Sequence, residues 1–303
     1  MAFVSSLRLS RALRSIGAIG ASLVLAGLAQ AQLVYLHATI NGTQEVPGTS
    51  STATGLGCFT FDPSINQITY NITFSGLVGT ETAAHFHTGA AGTNGPVIVS
   101  LPLGNPKIGS ATLTAAQAAQ LLAGNVYTNI HTTVFAGGEI RGQLTINPPT
   151  TLICFGDGTS GACPCSNQSA VGANEGCLNS AGLGGKLVST GGTSITCDTF
   201  QLCASQLTGA NCIFLQGSAV PVGPFNFGDG VRCIGGSLRR LAVVPVTSAG
   251  ACLGGLGTVG IHTLGQITTP GTYGYQTYYR DPANFCTAFT YNITNGVQAT
   301  WVP

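Results

Sequence analysis

The sequence has very little charge. Charged residues make up 6% of its 303 residues, and ten lysine and arginine residues stand against nine acidic ones. No basic cluster is present that would attract nucleic acid or an anionic membrane. We therefore expect no nucleic-acid partner.

Long apolar runs are also missing, apart from one at the start of the chain. Residues 1–31 have the pattern of a Sec-type signal peptide: three arginines, an apolar stretch from Ile16 to Leu28, and the small-x-small cleavage pattern Ala29-Gln30-Ala31. An uncleaved anchor is the alternative. Cleavage removes three of ten basic residues and leaves seven against nine acidic ones, a net charge of −2. We expect a secreted or cell-surface protein with no transmembrane segment in the mature chain.

Glycine is abundant where charge is scarce. The chain has 44 glycines, many turn residues and 44% hydrophobic residues, which is too apolar for a disordered protein. These features predict an all-β fold: a Greek-key-like β-sandwich followed by a second, disulfide-rich, β-sandwich-like domain.

Cysteine divides the chain into two predicted domains, residues 32–147 and 152–303, joined by a linker at Asn147–Thr151. Ten cysteines fall between Cys154 and Cys286, which indicates up to five disulfides of unknown pairing in an exported chain. A zinc site at Cys163-Pro-Cys165 is the alternative. Cys58, isolated in the first domain, is interpreted as a buried strand residue.

The first domain is predicted to contain seven or eight strands and one helix. Ile68–Phe74 alternates apolar and polar residues, as a strand with one buried face does. The helix is predicted to begin at Thr114, with Gln117 completing a capping box, and to end at Gly124. The other predicted strands are Leu33–Ile40, Ala53–Phe61, the histidine strand around residues 82–88, Pro96–Leu101, Val126–His131 and Glu139–Ile146.

The candidate site is a group of histidines in this domain. His85 and His87 alternate with apolar residues, so a β-strand would place both on one face. His131 ends another predicted strand, and Glu139 and Arg141 follow shortly after. Polar residues that group together in a nearly uncharged domain indicate where function lies.

Six motifs of the first domain resemble the CHRD (chordin-like) domain family, in the family's order. They are Gln44-Glu-Val-Pro47, Ala83-Ala-His-Phe-His-Thr-Gly89, Asn94-Gly-Pro-Val97, Leu113-Thr-Ala-Ala-Gln117, Asn129-Ile-His-Thr132 and Gly137-Gly-Glu-Ile-Arg-Gly-Gln-Leu144. The resemblance implies an extracellular β-rich module without an established catalytic activity.

The domain is also similar, more faintly, to the sandwich of Cu/Zn superoxide dismutases. That similarity implies copper ligation by His85, His87 and His131, with Arg141 guiding an anion. Residues 88–130 contain no His, Asp or Glu, so the zinc subsite has no counterpart. The alternative is a structural cluster, in which Glu139 or Glu45 holds the histidines and pairs with Arg141.

The second domain offers weaker signals. The tetrapeptide Phe-Gly-Asp-Gly occurs at residues 155–158 and 227–230, which indicates two related turns and, as an alternative, calcium binding by Asp157 and Asp229. The C-terminal stretch resembles a cysteine-rich module of exported bacterial proteins. Tyr279 and Trp301 are candidate members of a sugar-stacking platform.

These observations favour a non-enzymatic binding or structural protein that acts outside the cell, with no certain cofactor. Its partner would be an extracellular protein or a polysaccharide. The alternatives are a copper-binding, dismutase-like protein that uses His85, His87 and His131, and a carbohydrate-binding module.

Overall fold

A computed structural model describes residues 32–283 and 285–303. The predicted signal peptide therefore lies outside the described residues. Within the described ranges, no helix is long and apolar enough to cross a membrane.

The first half of the described chain forms a single antiparallel sheet and one α-helix. Its elements are β1 (Val34–Asn41), β2 (Thr54–Asp62), β3 (Gln67–Ser75), β4 (Glu81–Thr88), β5 (Val97–Leu101), β6 (Lys107–Thr112), α1 (Ala115–Leu122), β7 (Val126–Thr132), β8 (Ile140–Gln143) and β9 (Thr145–Ile146). The strand order is β5-β4-β7-β8-β1-β2-β3-β6, with β9 beside β1. The sheet bends so that its two ends pack against each other as a sandwich.

The core of this sandwich follows from the period-2 pattern of its strands. Ile68, Tyr70 and Ile72 of β3 are buried, whereas Thr69 and Asn71 between them are exposed. Phe86 of β4 packs edge-on against Phe59 of β2 and Tyr70, with ring centroids 5.9 and 5.5 Å apart. These contacts join the two layers and orient β4.

Most predicted elements of this half are confirmed, with two differences. Thr114 and Gln117 form the predicted capping box of α1. β6 is an additional strand, and the predicted strand Glu139–Ile146 is interrupted at Leu144. There the chain leaves β7 and pairs with β1 instead.

The second half contains three further sheets, so the all-β fold is confirmed. Its elements are β10 (Thr151–Ile153), β11 (Lys186–Thr190), β12 (Gln201–Ser205), β13 (Asn211–Ala219), β14 (Phe225–Phe227), β15 (Gly230–Arg232), β16 (Gly235–Pro245), β17 (Ala251–Gly254), α2 (Ile261–Gly265), β18 (Gly271–Arg280), β19 (Tyr291–Ile293) and β20 (Gly296–Trp301). The largest of these sheets has the order β10-β20-β18-β13-β16, with β19 beside β18; β11-β12-β17 and β14-β15 form the other two.

The predicted sugar platform at Tyr279 and Trp301 is wrong. Both side chains are fully buried in the core of the second half. The Trp301 indole donates a hydrogen bond to the Tyr275 hydroxyl over 2.8 Å. Neither ring therefore presents a face to a ligand.

The disulfide pairing corrects the interpretation of Cys58. Cys58 is bonded to Cys197 and joins the two halves of the chain. The other pairs are Cys154–Cys233, Cys163–Cys177, Cys165–Cys286 and Cys203–Cys252. The proposed zinc ligands Cys163 and Cys165 are thus used in disulfides. Cys212 is a free, buried cysteine, and burial raises the pKa of its thiol to about 11.

Candidate metal centre

Two neighbouring strands bring three histidines to the outer face of the first sheet. Phe86 points into the core, so its neighbours His85 and His87 point to the opposite face of β4. In the antiparallel pairing of β4 with β7, His85 lies opposite Asn129. His131 is two residues further along β7, on the same face, and so it reaches His85 diagonally.

The imidazole rings converge on one point. Ring centroids are 5.4 Å apart for His85 and His87, 5.0 Å for His85 and His131, and 6.2 Å for His87 and His131. One nitrogen from each ring lies within 4.8 Å of the others. His85 Nδ1 and His131 Nε2 are 3.2 Å apart, a spacing that two nitrogens bound to one ion at about 2 Å would have.

Backbone carbonyls set the tautomers of two of these rings. His87 Nδ1 lies 3.0 Å from the Gly95 carbonyl oxygen, and His131 Nδ1 lies 2.9 Å from that of Ala136. A carbonyl oxygen can only accept, so both Nδ1 atoms carry the proton and donate. The Nε2 atoms of both rings therefore carry lone pairs: that of His131 faces His85 Nδ1, and that of His87 is left for another partner. Metal-ligating histidines are commonly oriented in this way.

His87 Nε2 is the clearest sign of a missing partner. The nitrogen is buried, and no atom of the described residues forms a hydrogen bond with it. A buried acceptor without a partner costs about 1–3 kcal/mol. His85 and His131 are half-buried, so these two rings are partly exposed to solvent.

The surroundings favour neutral imidazoles. Burial is the main cause that lowers the pKa of His85, and the nearby His131 and His87 add to it. Burial also lowers the pKa of His87; the hydrogen bond to Gly95 opposes this effect, and His131 and Arg141 reinforce it. Neutral imidazole is the form that ligates metals.

Arg141 does not have the exposed position of an anion guide. It is 1% exposed, and its guanidinium lies 3.4 Å from the centroid of Tyr127. Tyr127 in turn stacks on His87, with centroids 4.8 Å apart and nearly parallel rings. Arg141 also donates to the Ala90 carbonyl, over 3.1 Å. Arg141 therefore supports the His87 ring indirectly, through Tyr127.

Glu139 forms hydrogen bonds with residues of neighbouring segments and not with the histidines. Its carboxylate accepts hydrogen bonds from the Ser51 and Thr132 hydroxyls and from the Val78 amide, each over 2.7 Å. Burial acts to raise the pKa of Glu139, but these bonds outweigh it and lower the pKa. The predicted support of a histidine by Glu139 is therefore wrong.

Glu45 is close to the site without touching a histidine. Both carboxylate oxygens contact the Asn129 amide nitrogen, at 3.0 and 3.1 Å. Burial raises its pKa to about 7, and Arg141 partly offsets this effect. Among the described residues, neither Glu45 nor Glu139 forms an ion pair with Arg141, so the predicted pairing is wrong.

Three other polar residues, His37, Asp157 and Asp229, lie away from the three histidines. His37 contacts the Asn147 side-chain oxygen at 2.7 Å. Asp157 accepts hydrogen bonds from Thr159, and Asp229 from Thr287. Asp157 thus stabilises its own turn, whereas Asp229 ties the β14–β15 turn to the distant segment around Thr287.

Comparison with known families assigns the first sheet. Residues 36–144 match the family model described as the CHRD domain. This stretch is a CHRD domain. The resemblance of the first half is thereby confirmed, while a search of curated proteins and a search of solved structures returned no match.

Sequence reasoning found the three histidines of the CHRD domain but missed their supports. Tyr127 shares the face of His131 by the same alternation, so its position could have been predicted once β7 was recognised. The Gly95 and Ala136 carbonyls lie in loops, whose course no periodic pattern specifies. Their contacts with the histidines are visible only in three dimensions.

Proposed function

We propose that this is an extracellular protein whose CHRD domain binds one transition-metal ion, copper in preference to zinc, through His85, His87 and His131. The observation that carries the proposal is the buried His87 Nε2, which has no hydrogen-bond partner and is directed toward the other two imidazoles.

A metal accounts for this arrangement better than a structural cluster does. A structural cluster satisfies its buried polar atoms, because each unsatisfied one is costly. Here the two Nδ1 atoms of His87 and His131 are held by backbone carbonyls, and His131 Nε2 contacts His85 Nδ1, whereas the buried His87 Nε2 has no partner among the described residues. An ion at the convergence point would use all three inward-facing nitrogens.

The donor set favours copper. All three donors are imidazole nitrogens, a ligand type that suits copper and zinc, and divalent copper binds nitrogen ligands more tightly than zinc does. When bound, copper would supply Lewis acidity and a redox couple. The contribution of the chain is to hold three imidazole rings in fixed positions around the ion.

Several features support action outside the cell. Five disulfides are characteristic of oxidising compartments, and the CHRD domain resembles an extracellular module. The signal-peptide pattern of residues 1–31 predicts the export route. We infer a binding or structural role outside the cell, with copper as a ligand of the CHRD domain.

Copper titration against a competing chelator tests the proposal. We expect one equivalent of copper per chain, with nitrogen couplings in the electron paramagnetic resonance spectrum. His87→Ala should weaken binding at least a hundredfold. His262→Gln is the matched control, because His262 pairs with Asp198 in the second half, and it should bind as the wild type does. Equal copper affinity in the wild type and in His87→Ala would refute the proposal.

A further inference from the structure

A groove on the second half of the chain has the features of a ligand site. It lies on the outer face of the neighbouring strands β16, β13 and β18, and its volume is about 540 Å³. Ile213 lies opposite Val243 on one side and Tyr278 on the other, so these side chains share the groove face. The alternate residues Cys212 and Phe214 are buried in the core.

Aromatic rings form one end of this groove. Tyr278 packs against both Phe227 and Tyr291, with centroid distances of 5.9 and 5.2 Å. Phe227 and Tyr291 are 5.1 Å apart, and all three side chains are only partly buried. In the described part of the chain, neither tyrosine hydroxyl makes a hydrogen bond. Rings with free hydroxyls can both stack on a sugar and bond to it.

The groove carries positive charge without compensation. Arg240 and Arg280 line it, and none of the lining residues is acidic. Arg280 donates to the Thr290 hydroxyl over 3.0 Å and, within the described residues, has no carboxylate partner. The nearby carboxylates Asp229 and Asp281 are fully buried. Guanidinium groups are suited to bidentate contact with a carboxylate.

In the middle of the groove, ligand contact depends on side chains. β13 is paired with β16 on one side and β18 on the other, so its backbone groups are already hydrogen-bonded. A peptide therefore cannot add a strand beside β13, and the rings and the guanidinium groups are left to contact a ligand there.

We propose that this groove binds an acidic polysaccharide: a uronate ring stacks on the aromatic end, and Arg240 and Arg280 contact carboxylates along the chain. The proposal is independent of the metal site, and it replaces the buried pair Tyr279 and Trp301 with a neighbouring, accessible surface. Charge complementarity and the aromatic end together distinguish this occupant from a neutral glycan.

Binding of the full-length purified protein to polygalacturonate tests the proposal, with dextran as the neutral comparison. Arg240→Ala and Tyr278→Ala should each weaken binding about tenfold or more. Arg239→Ala is the matched control: Arg239 is adjacent in sequence, but it points to the opposite face and donates to Gln266. It should bind within twofold of the wild type. Tyr278→Phe keeps the ring and should stay within about threefold.

Three results would overturn the proposal. They are wild-type protein that does not bind polygalacturonate, equal losses in Arg239→Ala and Arg240→Ala, and binding to polyglutamate as tight as to polygalacturonate. The last result would mean that charge alone selects the ligand. Near-ultraviolet circular dichroism of each variant establishes that it is folded, and the exposed Arg240→Ala suffices if Tyr278→Ala does not fold.

Discussion

Two histidines of the candidate site, His87 and His131, are each oriented by one backbone carbonyl. In one loop, the Gly95 carbonyl accepts a hydrogen bond from His87 Nδ1. The Ala90 carbonyl and the Asn94 side-chain oxygen of the same loop accept hydrogen bonds from Arg141. The same loop reaches the segment after β1, because the Asn94 amide donates to the Val46 carbonyl over 2.7 Å. His87 is thus held by a connected set of contacts that no single motif contains.

Gly95→Ala should weaken copper binding while all three histidines stay in place. A Cβ on Gly95 would overlap the Thr88 carbonyl, so the loop must move and carry its own carbonyl away from His87. Loss of such a supporting contact typically costs about 10–100-fold in metal affinity. Gly223→Ala is the control, because a Cβ there meets nothing within 4 Å and Gly223 lies in the second half, away from the histidines. Chelator competition measures both variants, and equal affinities would show that the Gly95 loop does not orient His87.

Glu45 should make stability depend on pH. Its pKa rises from 4.5 in the free residue to about 7 in the folded protein, so between these values the folded state binds a proton that the unfolded chain has lost. The stability it contributes is complete below about pH 4.5 and is lost as pH rises through 7. The loss corresponds to up to about 3 kcal/mol.

Urea unfolding at pH 5 and pH 7.5 measures this effect against Glu45→Gln, which retains the shape of the side chain but does not titrate. The wild type should lose stability relative to the variant as pH rises. If the unfolding free energies of the two proteins changed equally between pH 5 and pH 7.5, Glu45 would have an ordinary pKa in the folded protein.

At the level of elements, β4 divides its roles between its two faces. Its core face carries Phe86 and its outer face carries His85 and His87. This division could be predicted from the sequence, because period-2 alternation alone places the two histidines together. The position of His131 could not, since it depends on β7 pairing with β4 and on the register of that pairing. Strand order is a property of the whole sheet.

Other failures of sequence reasoning have similar causes. β6 has the sequence Lys-Ile-Gly-Ser-Ala-Thr, in which Ile108 is 66% exposed and the buried residue is Lys107. Lys107 is tolerated there because it pairs with Glu81 and donates to two backbone carbonyls. A strand with an exposed isoleucine and a buried lysine does not show the expected alternation.

Substitutions in β4 should separate stability from metal binding. Phe86→Ala removes a fully buried ring that packs on Phe59 and Tyr70, and it should cost about 3–5 kcal/mol of unfolding free energy. His85→Ala removes a half-buried side chain of the outer face and should cost less than about 1 kcal/mol while it weakens copper binding. Urea unfolding and chelator competition on both variants test this; a severe stability loss in His85→Ala would place that ring in the core.

At the level of the whole molecule, a disulfide links the CHRD domain to the second half of the chain, in addition to the peptide chain itself. Cys58 and Cys197 are 139 residues apart in sequence, and spacing alone did not pair them. The sequence predicts a division into residues 32–147 and 152–303. We propose that these are two domains held together by this disulfide, and that the first carries the metal site and the second the polysaccharide groove.

Replacing both cysteines, Cys58→Ser with Cys197→Ser, should destabilise the protein by about 2–4 kcal/mol, because the cross-link restricts the unfolded chain over a long loop. Thermal unfolding should then change from one transition to two, one for each proposed domain. Cys163→Ser with Cys177→Ser is the control within the second half, since this pair closes a separation of 14 residues. A double variant of Cys58 and Cys197 that melts like the wild type would contradict this role.

The most direct test of the metal site is anomalous scattering at the copper absorption edge from crystals of the copper-loaded protein. The account predicts one peak in the CHRD domain, about 2 Å from His85 Nδ1, His87 Nε2 and His131 Nε2. Copper located elsewhere on the chain, with no peak among these three nitrogens, would contradict it.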